Sequence, residues 1–146
     1  MVITNNLRAA TILAQNATAE VIVAGGVLRR ADAGLVGEQT VAFLRQFKPD
    51  FAVLSASALD SEGDFLDFDF REVQVSRTAR QQSRCAILVA DGSKFQRHAP
   101  VKIGSLSEVH HFVTNIPPPH NLADSLARWG TQFHMADPRP ERQKPG

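Results

Sequence analysis

The chain has 146 residues, 43% of them hydrophobic and 21% charged, with a formal net charge of +1. That balance suits one globular domain with a sizeable core and does not announce a nucleic-acid binder. A single cysteine, Cys85, excludes an internal disulfide, and neither a signal peptide nor an apolar run near the ~18 residues of a membrane span is visible, so a cytoplasmic protein is expected.

In chain order, residues 1–3 read as the end of a strand closed by Thr4-Asn5-Asn6. A helix over residues 7–14 follows, with Leu7, Ala10 and Leu13 at helical spacing. Domains rarely open two residues into a core strand, so the start of the fold is expected to lie outside this chain. The unpaired edge left there is expected to invite self-association. Residues 20–24 form a second buried strand ended by Gly25-Gly26, and residues 28–34 read as loop. The paired glycines suit either a close backbone approach to a ligand or a plain tight turn. Arg29, just beyond them, is an anion ligand or a solvated loop arginine.

A helix over residues 37–47 carries Val41, Leu44 and Phe47 on one stripe and stops at Lys48-Pro49-Asp50. Residues 51–56 read as a third buried strand, followed by a polar, acidic loop over 57–64 that continues into Asp67 and Asp69. Paired carboxylates suit acid–base chemistry or a metal, but the calcium-loop spacing is incomplete and no metal is expected. Residues 70–83 form a helix opened by Asp69, with Glu72 in its first turn, where a carboxylate either complements the helix dipole or meets a ligand. Arg77, Arg80 and Arg84 fall on one face, solvated or at a subunit contact.

Residues 85–95 organise the rest. Cys85-Ala86-Ile87-Leu88-Val89 is an unbroken apolar run, as expected of a parallel strand covered on both faces. It stops at Asp91-Gly92-Ser93, with Lys94 next, where an open α/β sheet places its ligands. Residues 96–100 are loop and residues 109–114 a further strand, on which His110 and His111 point to opposite faces and cannot share a metal. Pro117-Pro118-Pro119 is a rigid link to a helix over residues 121–129, and residues 131–136 suit an edge strand. Residues 137–146 hold three prolines and alternating charges and are expected to be disordered.

Strands alternating with helices predict an α/β fold with a mostly parallel sheet flanked by helices. No P-loop, H-E-x-x-H, G-x-S-x-G or complete G-x-G-x-x-G occurs. The residues alone therefore reach a phosphate or polyol site at the strand ends.

Several motifs together go further: Val2-Ile3-Thr4-Asn5-Asn6, Gly25-Gly26-Val27-Leu28-Arg29, Val36-Gly37, Asp60-Ser61-Glu62-Gly63, Glu72-Val73 and Ala90-Asp91-Gly92-Ser93-Lys94-Phe95. With these, residues 1–136 resemble the sensor domain of the DeoR family of bacterial transcriptional repressors. The resemblance implies the fold shared with ribose-5-phosphate isomerase and the coenzyme A transferases, here without its first strand–helix unit. It also implies a phosphorylated sugar or polyol effector, glycerol-3-phosphate foremost. Such an effector weakens the grip of a helix-turn-helix DNA-binding domain that these residues do not include.

The effector-binding residues implied are Thr4, Asn5, Gly26, Arg29, Ser57, Asp60, Glu72 and Lys94. Lys94 and Arg29 would neutralise the phosphate, Asp60 and Glu72 would accept from hydroxyls, and Asp91 would orient Lys94. No cofactor and no membrane partner are implied, and a homo-oligomer is expected. The chain departs from the family at Ser55 and Ala58, where glycines are usual, at Ser76, often a lysine, and in lacking the Gly-Thr-rich phosphate turn. Two other classes stay open: a sugar-phosphate isomerase-like enzyme with Glu72 as base and Lys94 as its electrostatic partner, and an oligomerisation remnant without a ligand.

Overall fold

A computed structural model describes residues 1–137. The disorder expected for residues 137–146 falls, from 138 onward, outside the described residues. The chain opens with a parallel β–α–β unit, β1 (Val2–Thr4), α1 (Leu7–Leu13) and β2 (Val21–Val23), in which Ile3 is level with Ile22. Helix α1 starts at Asn6, whose side chain accepts from the Ala9 amide and so satisfies one free N–H of the first turn.

The segment expected to be a loop at residues 28–34 is instead an antiparallel hairpin, β3 (Val27–Arg29) with β4 (Gly34–Val36). The apolar pairs Val27–Val36 and Leu28–Leu35 supply the strands at the open end, and Arg29 faces Gly34 at the turn. The turn closes through the Ala33 amide on the Arg29 carbonyl at 3.0 Å, with Ala33 itself at φ 62°. Helix α2 (Glu38–Leu44) then leads to β5 (Phe51–Leu54).

The acidic stretch after β5 is also more ordered than expected. Strands β6 (Ala58–Leu59), β7 (Asp64–Asp67) and β9 (Val101–Ser105) make a three-stranded antiparallel sheet. Phe65 is its buried anchor, and Lys102 meets Asp64 at 2.8 Å. The acids mask this strand in the sequence because each apolar residue in it is flanked by charge. Between β7 and β9 run α3 (Phe70–Gln82) and β8 (Cys85–Val89). The chain ends with β10 (His111–Thr114), α4 (His120–Trp129) and the edge strand β11 (Gln132–Met135).

The larger sheet is wholly parallel, in the order β11-β10-β8-β5, so β8 lies inside it as its composition demands. One face is dry. Ala52, Leu54, Ala86, Leu88 and Phe112 pack there against Val73 of α3, Ile103 of β9 and Leu122 and Leu126 of α4. The other face corrects the expectation of fully buried strands. Phe51 is 65% and Val53 71% exposed, and Val89 is exposed beside them. Among the described residues no layer covers this face.

Of the three arginines expected to be solvated or at a subunit contact, Arg80 is largely covered and Arg84 is exposed. Arg77 donates through Nη2 to the Lys102 carbonyl, Arg80 lies 3.4 Å from Glu108, and Arg84, beyond the helix, lies 3.5 Å from Asp50. The histidines do diverge: His110 Nδ1 accepts from the Ala86 amide at 3.0 Å, whereas His111 Nδ1 lies 2.9 Å from His134 Nε2.

Candidate effector site

A cleft of about 820 Å³ separates β1 and the start of α1 from the edge strand β5, with Thr4, Asn5, Asp32, Ser55, Glu72 and Ser76 among its lining residues. Both strands that border it present open backbone edges, since among the described residues β1 pairs only with β2 and β5 only with β8. The polar end of the cleft is built where the turn after β1, the β3–β4 hairpin and the N-terminus of α3 converge.

The β1 turn contributes Asn5. Its Nδ2 donates to the Leu35 carbonyl at 3.0 Å and to Glu72 Oε2 at 3.4 Å, tying the turn to the hairpin and to α3. Thr4 Oγ1 accepts from the Asn6 amide at 3.1 Å and holds the turn in shape. Asn6 Nδ2 donates to the Asp32 carbonyl at 3.0 Å, so the hairpin loop is pinned to the start of α1.

Helix α3 contributes Asp69 and Glu72. Asp69 is the N-cap, accepting from the amides of Arg71 at 2.8 Å and Glu72 at 3.2 Å. With that role filled, Glu72 is free of the capping duty its position suggested, and its carboxylate turns toward Asn5. Burial pushes the Glu72 carboxyl above its ordinary range, partly offset by the charge of Arg29 and reinforced by that of Asp32.

The hairpin contributes Arg29 and Asp32. Arg29 Nε donates to Asp32 Oδ1 at 3.0 Å, Nη2 donates to Asp32 Oδ2, and Nη1 lies 3.4 Å from Asp69 Oδ2. Its guanidinium is therefore held by two carboxylates, and this pairing favours its protonated form against the cost of burial. The Arg29 contact likewise draws the Asp32 carboxyl below the usual carboxylate range. At Asp69 burial works upward but is outweighed by the amides of Glu72 and Arg71 together with Arg29, for a net lowering. Gly34 sits between two of these acids: a Cβ built there would lie 3.2 Å from Asp32 Oδ1 and 3.4 Å from Glu72 Oε2.

Three of the expected residues, Thr4, Asn5 and Glu72, thus line one end of the cleft, and Arg29, which does not line it, stands behind Asp32. Gly26 is nearby in the chain but serves packing, at φ 147° with its Cα against Thr40 and Val36. Ser57, Asp60 and Lys94 do not line the cleft. The Ser57 amide donates to the Leu66 carbonyl at 2.9 Å, and Asp60 Oδ1 accepts from the amides of Glu62 at 3.0 Å and Asp64 at 2.9 Å, shaping the β6–β7 turn. Lys94 lies in a short 3₁₀ helix, Gly92–Gln96, beyond the carboxyl end of β8. Asp91 caps that helix through the Ser93 amide at 2.9 Å, and its carbonyl accepts from the Lys94 amide at 3.1 Å.

Two participants are additions to the expected set: Asp32, and Asp69 as a partner of Arg29. The three-residue spacing of Arg29 and Asp32 is the one signal available in the sequence, and it becomes informative only once residues 27–36 form a hairpin.

The sequence model described as the DeoR C terminal sensor domain matches residues 1–115. The chain is 48% identical over 117 residues to a glycerol-3-phosphate regulon repressor of Haemophilus influenzae, covering 80% of this chain and 46% of that protein. It is 44% identical over 134 residues to the glycerol-3-phosphate regulon repressor of Escherichia coli, covering 92% and 53% respectively. The HTH-type transcriptional repressor CsqR of Escherichia coli is 38% identical over 125 residues, 86% of this chain and 48% of that protein. The chain spans about half the length of these curated relatives. A family match over residues 1–115 and identities of this size lead to one conclusion: the chain belongs to the DeoR C-terminal sensor domain family.

Proposed function

We propose that this chain is the effector-sensing part of a DeoR-type repressor and that it responds to a phosphorylated polyol, glycerol-3-phosphate foremost. The observation that carries the reading is the meeting of Asn5 and Glu72 at one end of the cleft, with Arg29 of a third element held next to them by Asp32. An amide and a carboxylate suit hydroxyl groups, and a guanidinium suits a phosphate. The names of the similar proteins, two of them repressors of a glycerol-3-phosphate regulon, support the choice of ligand and a regulatory rather than enzymatic role.

In this reading Glu72 and Asn5 take the hydroxyls, Arg29 takes the phosphate, and Lys94 adds positive charge from the end of β8. Thr4 holds the Asn5 turn, Gly26 the hairpin entry, and Ser57 and Asp60 the loops beside Lys94. Effector binding is passed to a helix-turn-helix DNA-binding part outside these residues, in a cytoplasmic homo-oligomer. With a net charge of +1 and no recognition helix among the described elements, these 146 residues alone bind duplex DNA only weakly and in a salt-sensitive way.

Calorimetric titration of the chain with glycerol-3-phosphate, glycerol and inorganic phosphate tests this. Glycerol-3-phosphate should bind more tightly than either fragment. Arg29→Ala should remove a charge-assisted contact worth roughly 1.5–3 kcal/mol, and Lys94→Ala, which removes charge from beyond the cleft, should weaken binding by less. Equal, weak responses to all three compounds would reject the polyol-phosphate reading.

A further inference from the structure

The guanidinium that the proposed function gives to a phosphate is already occupied. Asp32 takes the Nε–Nη2 edge of Arg29 in a two-point pair, the geometry in which arginine grips carboxylates and phosphates alike. The same carboxylate accepts from the Gly34 amide at 3.1 Å. Its three donors, two from Arg29 and one backbone N–H, are those an oxyanion would use. Two cations (Arg29, and Arg71 at 3.8 Å from Asp69) against three carboxylates (Asp32, Asp69 and Glu72) still leave this group formally negative, which repels a phosphate while all three acids stay in place.

The acids differ in how readily they can leave. Asp69 closes the N-terminus of α3 through two amides, so displacing it uncaps a helix of 13 residues. Glu72 is half-buried on the helix and held by Asn5. The Asp32 side chain is 43% exposed and stands on the short turn between β3 and β4. It alone can rotate into water without dismantling an element.

Resting on the effector reading above, we infer that Asp32 is an internal competitor for the phosphate. Its carboxylate holds the oxyanion position on Arg29 and the Gly34 amide, and an incoming phosphate takes those donors by turning Asp32 out to solvent. Asp32 thereby sets which ligands enter. A neutral polyol lacks the charge to displace it, whereas a phosphate ester can replace every hydrogen bond that is broken. The exchange also reaches α1, because the Asp32 carbonyl accepts from the Asn6 cap and the Ala33 carbonyl from the Leu7 amide at 3.0 Å.

The test measures inorganic phosphate and glycerol-3-phosphate binding to the 146-residue chain and to its Asp32→Ala, Asp32→Asn, Arg29→Ala and Asp32→Ala/Arg29→Ala variants. Asp32→Asn keeps an acceptor for the Gly34 amide, so it guards against a loosened hairpin, and thermal melts confirm folding. Both Asp32 variants should bind phosphate roughly fivefold more tightly or better, and the gain should vanish in the double variant. If Arg29→Ala weakens binding but neither Asp32 variant strengthens it, the competitor role is wrong and the effector site stands. If Arg29→Ala leaves phosphate binding unchanged, the effector site itself is misplaced, and the competitor role falls with it.

Discussion

Asn5 and Glu72, 67 residues apart in the chain, meet at 3.4 Å, and the same Asn5 amide group donates to the Leu35 carbonyl at 3.0 Å. One short side chain therefore joins the first turn, the β3–β4 hairpin and helix α3. The contact keeps a half-buried carboxylate partly satisfied, which is the condition for retaining such a group inside a fold. It also places that carboxylate where a ligand in the cleft can reach it.

The pH behaviour of this site follows from opposite shifts. The Glu72 carboxyl is raised in the fold, so its contribution to stability is full below the unfolded value and is lost as pH rises through the folded value. Asp32 and Asp69 are lowered, so their contributions hold above the unfolded value and are lost as pH falls through the folded one. Glu72→Gln removes only the first effect. Its melting temperature should exceed that of the parent chain near pH 7, and the difference should shrink toward zero as the pH falls below about 4, where Glu72 becomes protonated in the unfolded state as well. An equal difference at both values would show that Glu72 titrates normally.

Asp69 carries two duties, capping α3 and partnering Arg29. Asp69→Ala should cost about 1–2 kcal/mol from the lost cap. Asp69→Asn, which keeps an acceptor for the two amides, should cost clearly less. Denaturant melts of the two variants would separate the roles, and equal losses would mean that the charge rather than the cap matters.

Gly26 illustrates a residue whose side chain is forbidden by its neighbours. A Cβ there would lie 2.1 Å from Thr40 Oγ1 and 2.8 Å from the Val36 carbonyl, at φ 147°. Thr40 cannot easily yield, since it is buried and donates to the Gly25 carbonyl at 2.6 Å. Gly26→Ala should therefore destabilise by about 2 kcal/mol or more. A melt within experimental error of the parent chain would show that the hairpin entry relaxes freely.

Phe51 and Val53 stand 65% and 71% exposed on the open face of the larger sheet. Exposed apolar clusters of this kind favour association. Phe51→Ser with Val53→Thr should change stability by no more than about 0.5 kcal/mol per site and lower the apparent mass in light scattering at high concentration. An unchanged mass together with a large loss of stability would show that the face is packed within one chain.

Local signals made much of this protein legible before its structure. The unbroken apolar run of residues 85–89, the Asp69 cap ahead of α3 and the turn chemistry at Asp91-Gly92-Ser93 all act within a few residues, and each appears where the composition places it. The β3–β4 hairpin and the β7–β9 pair were hidden because their strands are short and interrupted by charge, so their stability comes from partners distant in the chain. The same reason governs the site. Composition named Arg29, Glu72 and Asn5 as polar groups beside strand ends. Only the packing of three elements decided that Arg29 is claimed by Asp32 and Asp69, that Glu72 faces Asn5 rather than its own helix end, and that Lys94 stands apart. Charge pairing depends on distances of a few ångströms between residues far apart in sequence, and those distances exist only once the tertiary structure has formed.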